Sequence, residues 1–206
     1  MELKQAIVFD LGGVMIDWNP RHLYRKMFRG DEPAMEKFLS EVCTSEWNAE
    51  QDRGRSFADA TALLIDRHPD QEVFIRAWFE RWPEMIAGTI EGMIEIFAEL
   101  KKAERKIYAL SNWSRETYPM ARRSFAFFDW FDHIVISGEV GMVKPNRDIF
   151  DHLLGVAGRR VEECIFIDDS LTNVEAAIGF GFDAIHFRSS GELRDDLTNR
   201  GVLEGR

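Results

Sequence analysis

The sequence predicts an α/β fold, a doubly wound parallel sheet of Rossmann-like form with an all-helical cap inserted into it. Three observations lead there. Short β-branched or aromatic runs stop abruptly at a polar residue, as strands buried on both faces of a parallel sheet do. Stretches of helical period separate those runs from about residue 90 onward. Residues 17–87 carry helical periodicity with no strand candidate between its parts.

The first run, residues 6–9, stops at Asp10. Beyond it, amphipathic stretches at 20–29, 32–43, 56–67 and 70–82 predict the cap; Ser56 with Asp59 reads as a capping-box variant, and Pro69 and Pro83 punctuate the helices before them. Strand candidates follow at 107–110 before Ser111, 134–136 before Ser137, 164–167 before Asp168, and 184–187. Helical period returns at 91–103, with Met93, Ile94, Phe97 and Leu100, and at 147–156, with Ile149, Phe150, Leu153 and Leu154. Residues 190–206 are polar and predict one exposed helix with a frayed end. The division that results is a core of 1–16 and 88–206 around a cap of 17–87.

Composition narrows the function. With 206 residues, 45% hydrophobic and 30% charged, the chain suits one folded body carrying an insertion. A net charge of -10 opposes the counterion release that drives nucleic-acid affinity, so neither nucleic acid nor an anionic membrane is expected as partner. Cys43 and Cys164 lie far apart without a CxxC or Cys/His cluster, and predict buried small hydrophobes rather than a disulfide or a zinc site. No apolar run of signal-peptide or membrane-spanning length occurs, so the expected location is cytoplasmic, as a monomer or small homo-oligomer.

In an open parallel sheet, ligands bind at the carboxyl ends of the strands. The residues there are Asp10, Ser111, and Asp168 with Asp169. A lone aspartate at a strand end often only starts a turn or caps a helix. Three that converge repel: two unit charges about 4 Å apart cost about 4 kcal/mol at an effective dielectric of about 20. A cation must therefore sit among them, and a carboxylate set without histidine or thiolate suits Mg²⁺. Lys144, in Gly141-Met142-Val143-Lys144-Pro145, supplies a second positive charge.

Asp10-Leu11-Gly12-Gly13-Val14, Ser111-Asn112, Lys144-Pro145 and Asp168-Asp169 occur in order at successive strand ends, with a helical insertion after the first. This arrangement resembles the haloacid dehalogenase superfamily, in its branch with a helical cap, and is similar to bacterial proteins that include sugar-1-phosphate phosphatases. The resemblance implies a phosphatase acting on a small phosphorylated metabolite, a sugar phosphate among the candidates. It implies that Asp10 attacks phosphorus and forms an aspartyl-phosphate. Ser111 and main-chain amides at Gly12 and Gly13 would hold phosphoryl oxygens, Asn112 would line the same pocket, and Lys144 would neutralise Asp10 and the phosphate. Asp10, Asp169 and the Gly12 carbonyl would ligate Mg²⁺, with Asp168 binding it directly or through water. Asn173 is read either as a partner of a metal-bound water or of Lys144, or as a plain polar residue in the first turn of the next helix.

One position departs from the pattern. Most phosphatases of the superfamily carry a second aspartate two residues after the nucleophile, as acid and base, where this chain has Gly12. Losing positioned proton transfer costs about 10²–10⁴ in rate. Asp17, His22 or Asp52 could fill the gap, or the substrate could have a good leaving group. Trp18, Tyr24, Trp47, Asp52, Arg53 and Trp113 could meet a sugar, although an aromatic in a helical insertion is more often core, and Trp78 and Trp82 read as packing. A metal-free 2-haloacid dehalogenase is the first rival, disfavoured because such enzymes carry Ser and Asn in place of the acidic pair. A non-catalytic phosphometabolite-binding protein is the second, and it would have no need of Asp10.

Overall fold

The first apolar run becomes the middle strand of a five-stranded parallel sheet. The computed structural model describes residues 5–204; residues 1–4, part of the amino terminus read above, and 205–206, part of the end expected to fray, lie outside it. Its strands are β1 (Ala6–Phe9), β2 (Ile16–Trp18), β3 (Ile86–Thr89), β4 (Ile107–Ser111), β5 (His133–Ile136), β6 (Cys164–Asp168) and β7 (Asp183–His186). The large sheet runs β5-β4-β1-β6-β7, and β2 pairs antiparallel with β3. The helices are α1 (Arg21–Met27), α2 (Glu32–Glu41), α3 (Ser45–Asp52), α4 (Phe57–Arg67), α5 (Glu72–Glu80), α6 (Met93–Lys102), α7 (Tyr118–Arg122), α8 (Ser137–Val140), α9 (Arg147–Ala157), α10 (Leu171–Phe180) and α11 (Ser190–Asn199).

The strand sequences are apolar throughout because both faces are covered. Ile7, Phe9, Ile107, Ala109, Ile165 and Ile167 join one core with Phe97 and Leu100 of α6 and Leu193 and Leu197 of α11. Their alternate neighbours Val8, Tyr108, Leu110 and Phe166 join a second core with Ile149, Phe150 and Leu153 of α9 and Ala177 of α10. The alternation is the strand's period of two. Each fully buried Ile or Phe contributes about 1.5–3 kcal/mol relative to exposure. The helix expected to be exposed near the carboxyl end is therefore half embedded: Leu193 and Leu197 are its apolar stripe.

From residue 21 to 80 the described elements are helices and short helical turns. Tyr24, Phe38, Phe74 and Trp78 stack among one another inside this unit, and Cys43 is buried there. The two short strands β2 and β3 close the unit at its base, with Ile16 opposite Thr89 and Trp18 opposite Ile86. Hydropathy did not reveal this pair, since strands this short and partly exposed carry no alternation. α3 also escaped prediction, for SEWNAEQD has no apolar stripe and only Gln51 of it is buried. Among the described residues no helix is long and apolar enough to cross a membrane.

Hydrogen bonds tie the helical unit to the large-sheet part of the chain, among them Ser137 Oγ to the Asp52 carbonyl at 2.6 Å, the Phe57 N–H to Glu116 Oε1 at 3.0 Å, and Arg115 to the Gly54 carbonyl at 3.2 Å. These bonds hold the end of α3 over the carboxyl ends of the strands.

Candidate active site

The chain runs from β1 outward to β4 and β5, then returns to β6 and β7 on the other side of β1. The carboxyl ends of β1, β4 and β6 thus lie side by side where strand order reverses, which is where open α/β sheets place their ligands. Phe9 is level with Ile167, and the Asp10 N–H donates to the Ile167 carbonyl at 2.8 Å, so Asp10 stands beside Asp168. β6 includes Asp168 and ends there, leaving Asp169 outside the strand and free to turn toward the same point. Asp10, Asp168 and Asp169 each bring a carboxylate oxygen to within 4.8 Å of the others.

Lys144 resolves much of the resulting repulsion. Its Nζ lies 3.0 Å from Asp10 Oδ1 and 2.6 Å from Asp168 Oδ2, with all three side chains nearly sealed from solvent. Burial alone would draw the ammonium's pKa down, but the two carboxylates outweigh it and hold it above the ordinary lysine value. Burial pushes Asp10 up to about 7; Lys144 and the Ser111 hydroxyl, which donates to it, act against that, while Asp168 and Asp169 add to it. Asp169 is also raised, chiefly by burial and then by the charge of Asp168. Oxygen donors without nitrogen or sulfur, carrying more negative charge than one lysine balances, fit a hard divalent cation such as Mg²⁺.

The neighbouring groups have definite tasks. Asp168 accepts from Lys144, from the Ser170 N–H at 2.8 Å, and from Asn173 Nδ2 on both oxygens at 3.0 and 3.2 Å. Asn173 thus serves Asp168 from the first turn of α10, and does not bond Lys144. Asn112 donates from Nδ2 to the Lys144 carbonyl at 2.9 Å and accepts from the Lys144 N–H at 2.8 Å. Asn112 lines the cavity described below, as expected, and its amide also locks the main chain that carries Lys144.

The two glycines differ in setting. The Gly13 N–H donates to the Ile16 carbonyl at 2.9 Å. With φ at +76°, and with the space a Cβ would need filled by Asp169, Gly13 makes room for an acid. Gly12 borders open space.

A cavity of about 300 Å³ opens over this cluster. Asp10, Gly12, Gly13, Ser111, Asn112 and Asp169 form its floor, and Trp18, Asn48, Asp52, Trp82, Trp113 and Thr117 the remainder. Tyr24 and Trp47 pack in the cap, their polar atoms bonded to the Phe74 and Ala60 carbonyls. Arg53 is exposed and pairs with Glu50 at 2.7 Å. Asp17 and His22 pair with each other at 3.1 Å, apart from the residues that line the cavity. Trp82, read as packing, both packs against Trp113 and borders the cavity. Sequence reading missed Asn48 and Thr117. The spacing of Asn48 and Asp52, one helical turn apart, was the available signal, but it needed α3 to be recognised first.

The model of the haloacid dehalogenase-like hydrolase family matches residues 4–181. The chain belongs to that family. Among curated relatives it is similar to the sesquiterpene phosphatase astK of Aspergillus oryzae, 28% identical over 189 residues that make up 90% of this chain and 91% of that protein. It is also similar to the drimenol cyclase drtB of Aspergillus calidoustus, 26% identical over 200 residues; the match takes in 96% of this chain but only 36% of the length of the cyclase. A family enzyme from Bacteroides thetaiotaomicron, solved with magnesium and inorganic phosphate, shares the fold with a TM-score of 0.67 and 22% identity, over 90% of this chain and 95% of that one.

Proposed function

We propose that this family member is a Mg²⁺-dependent phosphatase that hydrolyses a small phosphorylated metabolite through an aspartyl-phosphate on Asp10. The observation that carries the reading is the meeting of Asp10, Asp168 and Asp169 around one point, with Lys144 bridging the first two. Binding a metabolite by shape alone gives no reason to bury that much charge. The retained acidic pair supports phosphate over halide chemistry, and the resemblance to a phosphatase across nine-tenths of both chains points the same way.

Asp10 is the nucleophile, its carboxylate aimed by the Leu11 N–H at 2.7 Å and by Lys144. Ser111, with the Gly12 main chain, grips the phosphoryl oxygens from the floor of the cavity, where a low dielectric strengthens each contact, and Lys144, buried against Asp10, neutralises that carboxylate and the phosphate. Asn112 keeps Lys144 in register. Asp10, Asp169 and the Gly12 carbonyl would hold the metal, and Asp168, whose oxygens already accept from three groups, would support it from beside them. Bound there, Mg²⁺ supplies positive charge that keeps Asp10 ionised and offsets the charge on the transferring phosphoryl group.

The cavity is at the small end of ligand sites and suits a metabolite-sized ester. Its three indole walls suit the apolar face of a sugar or of another compact carbon skeleton. The test is phosphate release from a panel of sugar and alkyl phosphates with Mg²⁺, with EDTA, and with Asp10→Asn. The reading requires activity in the first case alone; release that survives Asp10→Asn overturns it.

A further inference from the structure

A phosphate ester cannot be split cleanly without moving protons. The departing oxygen needs one, and the water that later frees the enzyme must give one up. Gly12 has none to move. The side chain that does this must therefore reach into the cavity from elsewhere, and the cavity's composition leaves little choice. Its ionisable lining residues are Asp10, Asp52 and Asp169. Asp10 is committed to the attack on phosphorus, and Asp169 belongs to the acidic cluster at the strand ends. Asp52 comes from the cap, at the end of α3, and has no part in that cluster.

Its position is built. The Asp52 carbonyl accepts from Ser137 Oγ at 2.6 Å, and Ser137 in turn accepts from the Trp113 N–H at 2.9 Å, so the end of α3 is pinned to the loop that follows β4. One turn earlier on α3, Asn48 Nδ2 donates to Asp52 Oδ2 at 3.2 Å and fixes the carboxyl's orientation. The Ser114 N–H also bonds the carboxyl.

We propose that Asp52 is the catalytic acid and base of this enzyme, supplied by the cap in place of the side chain absent at Gly12. The proposal rests on the phosphatase reading of Asp10. In the first step Asp10 bonds to phosphorus, the bond from phosphorus to the ester oxygen breaks, and that oxygen takes the proton of the Asp52 carboxylic acid to leave as alcohol. In the second step the Asp52 carboxylate takes a proton from water, whose oxygen bonds to phosphorus as the bond to Asp10 breaks. Phosphate departs, Asp10 is again a carboxylate and Asp52 again an acid.

The environment agrees with the geometry. Burial pushes the Asp52 carboxyl up to about 7; the Ser114 N–H and Arg53 act against it, and Asp10 adds to it. Near neutrality both of its forms are populated, as a group that gives a proton and then takes one back requires.

p-Nitrophenyl phosphate separates the two steps, because nitrophenolate leaves without protonation whereas hydrolysis of the aspartyl-phosphate still needs the base. In stopped flow, Asp52→Asn is expected to release its first equivalent of nitrophenolate within tenfold of the wild-type rate, then to turn over about 10²–10⁴ times more slowly. Intact mass is expected to show the phosphorylated enzyme accumulating. The ratio of the two rates does not depend on how much of the variant is folded. Equal slowing of both phases, or wild-type turnover, overturns the assignment while leaving the phosphatase reading intact. Absence of any nitrophenolate or phosphate release from the wild-type protein overturns that reading, and the role of Asp52 with it.

Discussion

Asp169 occupies the space that a side chain on Gly13 would need: a Cβ placed there falls 2.6 Å from Asp169 Cγ and nearer still to Oδ2. Gly13→Ala must therefore displace the carboxylate, while also placing alanine at φ +76°, a strain of about 1–2 kcal/mol. Misplacing a group that orients a metal ligand weakens metal binding by about 10–100-fold. Calorimetric titration of Gly13→Ala with Mg²⁺ is expected to show a loss of that size. An unchanged affinity would mean that Asp169 does not hold the ion.

Lys144 is the counterweight to two buried carboxylates, and its removal strands both. Lys144→Met is expected to lose about 3–5 kcal/mol of stability at neutral pH, the range for breaking one side of a buried ion pair. The sign with pH follows from Asp10, which burial already raises and which loses its opposing lysine in the variant. Acid neutralises the stranded Asp10, so the deficit is largest at high pH and shrinks as pH falls. Urea denaturation at pH 5 and pH 8 measures both quantities, and a deficit that grows toward acid contradicts the pairing.

Much of this site was legible because three of its residues end runs that read as buried strands. Asp10, Ser111 and Asp168 are announced by AIVF, IYAL and CIFI before them, and the parallel register then brings them together without further instruction. The cap residues lacked such a marker. α3 holds its place through Trp47, packed on Phe57 and Trp78, through Gln51 and through its bonded end, and buries no apolar stripe that a sequence could display. Asp52 consequently stood beside Asp17 and His22 as one of three equal candidates, until tertiary structure paired the other two with each other. The Asn112 clamp on Lys144 joins residues 32 positions apart, and local spacing carries no trace of it.

A group held for proton transfer carries a stability penalty that its amide analogue lacks. The Asp52 carboxyl titrates near 3.8 when free and at about 7 in the fold, where burial opposes ionisation, as Asp10 does also, against Arg53 and the Ser114 N–H. A folded pKa above the unfolded one means that the native state holds more protons between the two values. The stability this gives is complete below about pH 4 and is lost as pH rises through 7. Asparagine never ionises. Asp52→Asn is therefore expected to match the wild-type melting temperature near pH 4 and to exceed it at pH 8, with Mg²⁺ absent from both samples. Parallel melting curves across that range would show that Asp52 ionises without cost.

The open space beside Gly12 makes the division of labour between cap and core reversible. A Cβ at Gly12 meets no atom within 4 Å, and the residue does not use the left-handed conformation that would penalise a side chain. An aspartate there would border the same cavity as Asp52, two residues beyond the nucleophile, at the place where related phosphatases carry their acid and base. If the chemistry lacks only a proton carrier in Asp52→Asn, then supplying one from the floor is enough. The double variant Gly12→Asp/Asp52→Asn is expected to hydrolyse its aspartyl-phosphate at least about tenfold faster than Asp52→Asn, part of the ~10²–10⁴ attributable to proton transfer. Single-turnover decay of the phosphorylated enzyme measures this directly. A double variant no faster than Asp52→Asn would locate the defect in cap position rather than in proton transfer.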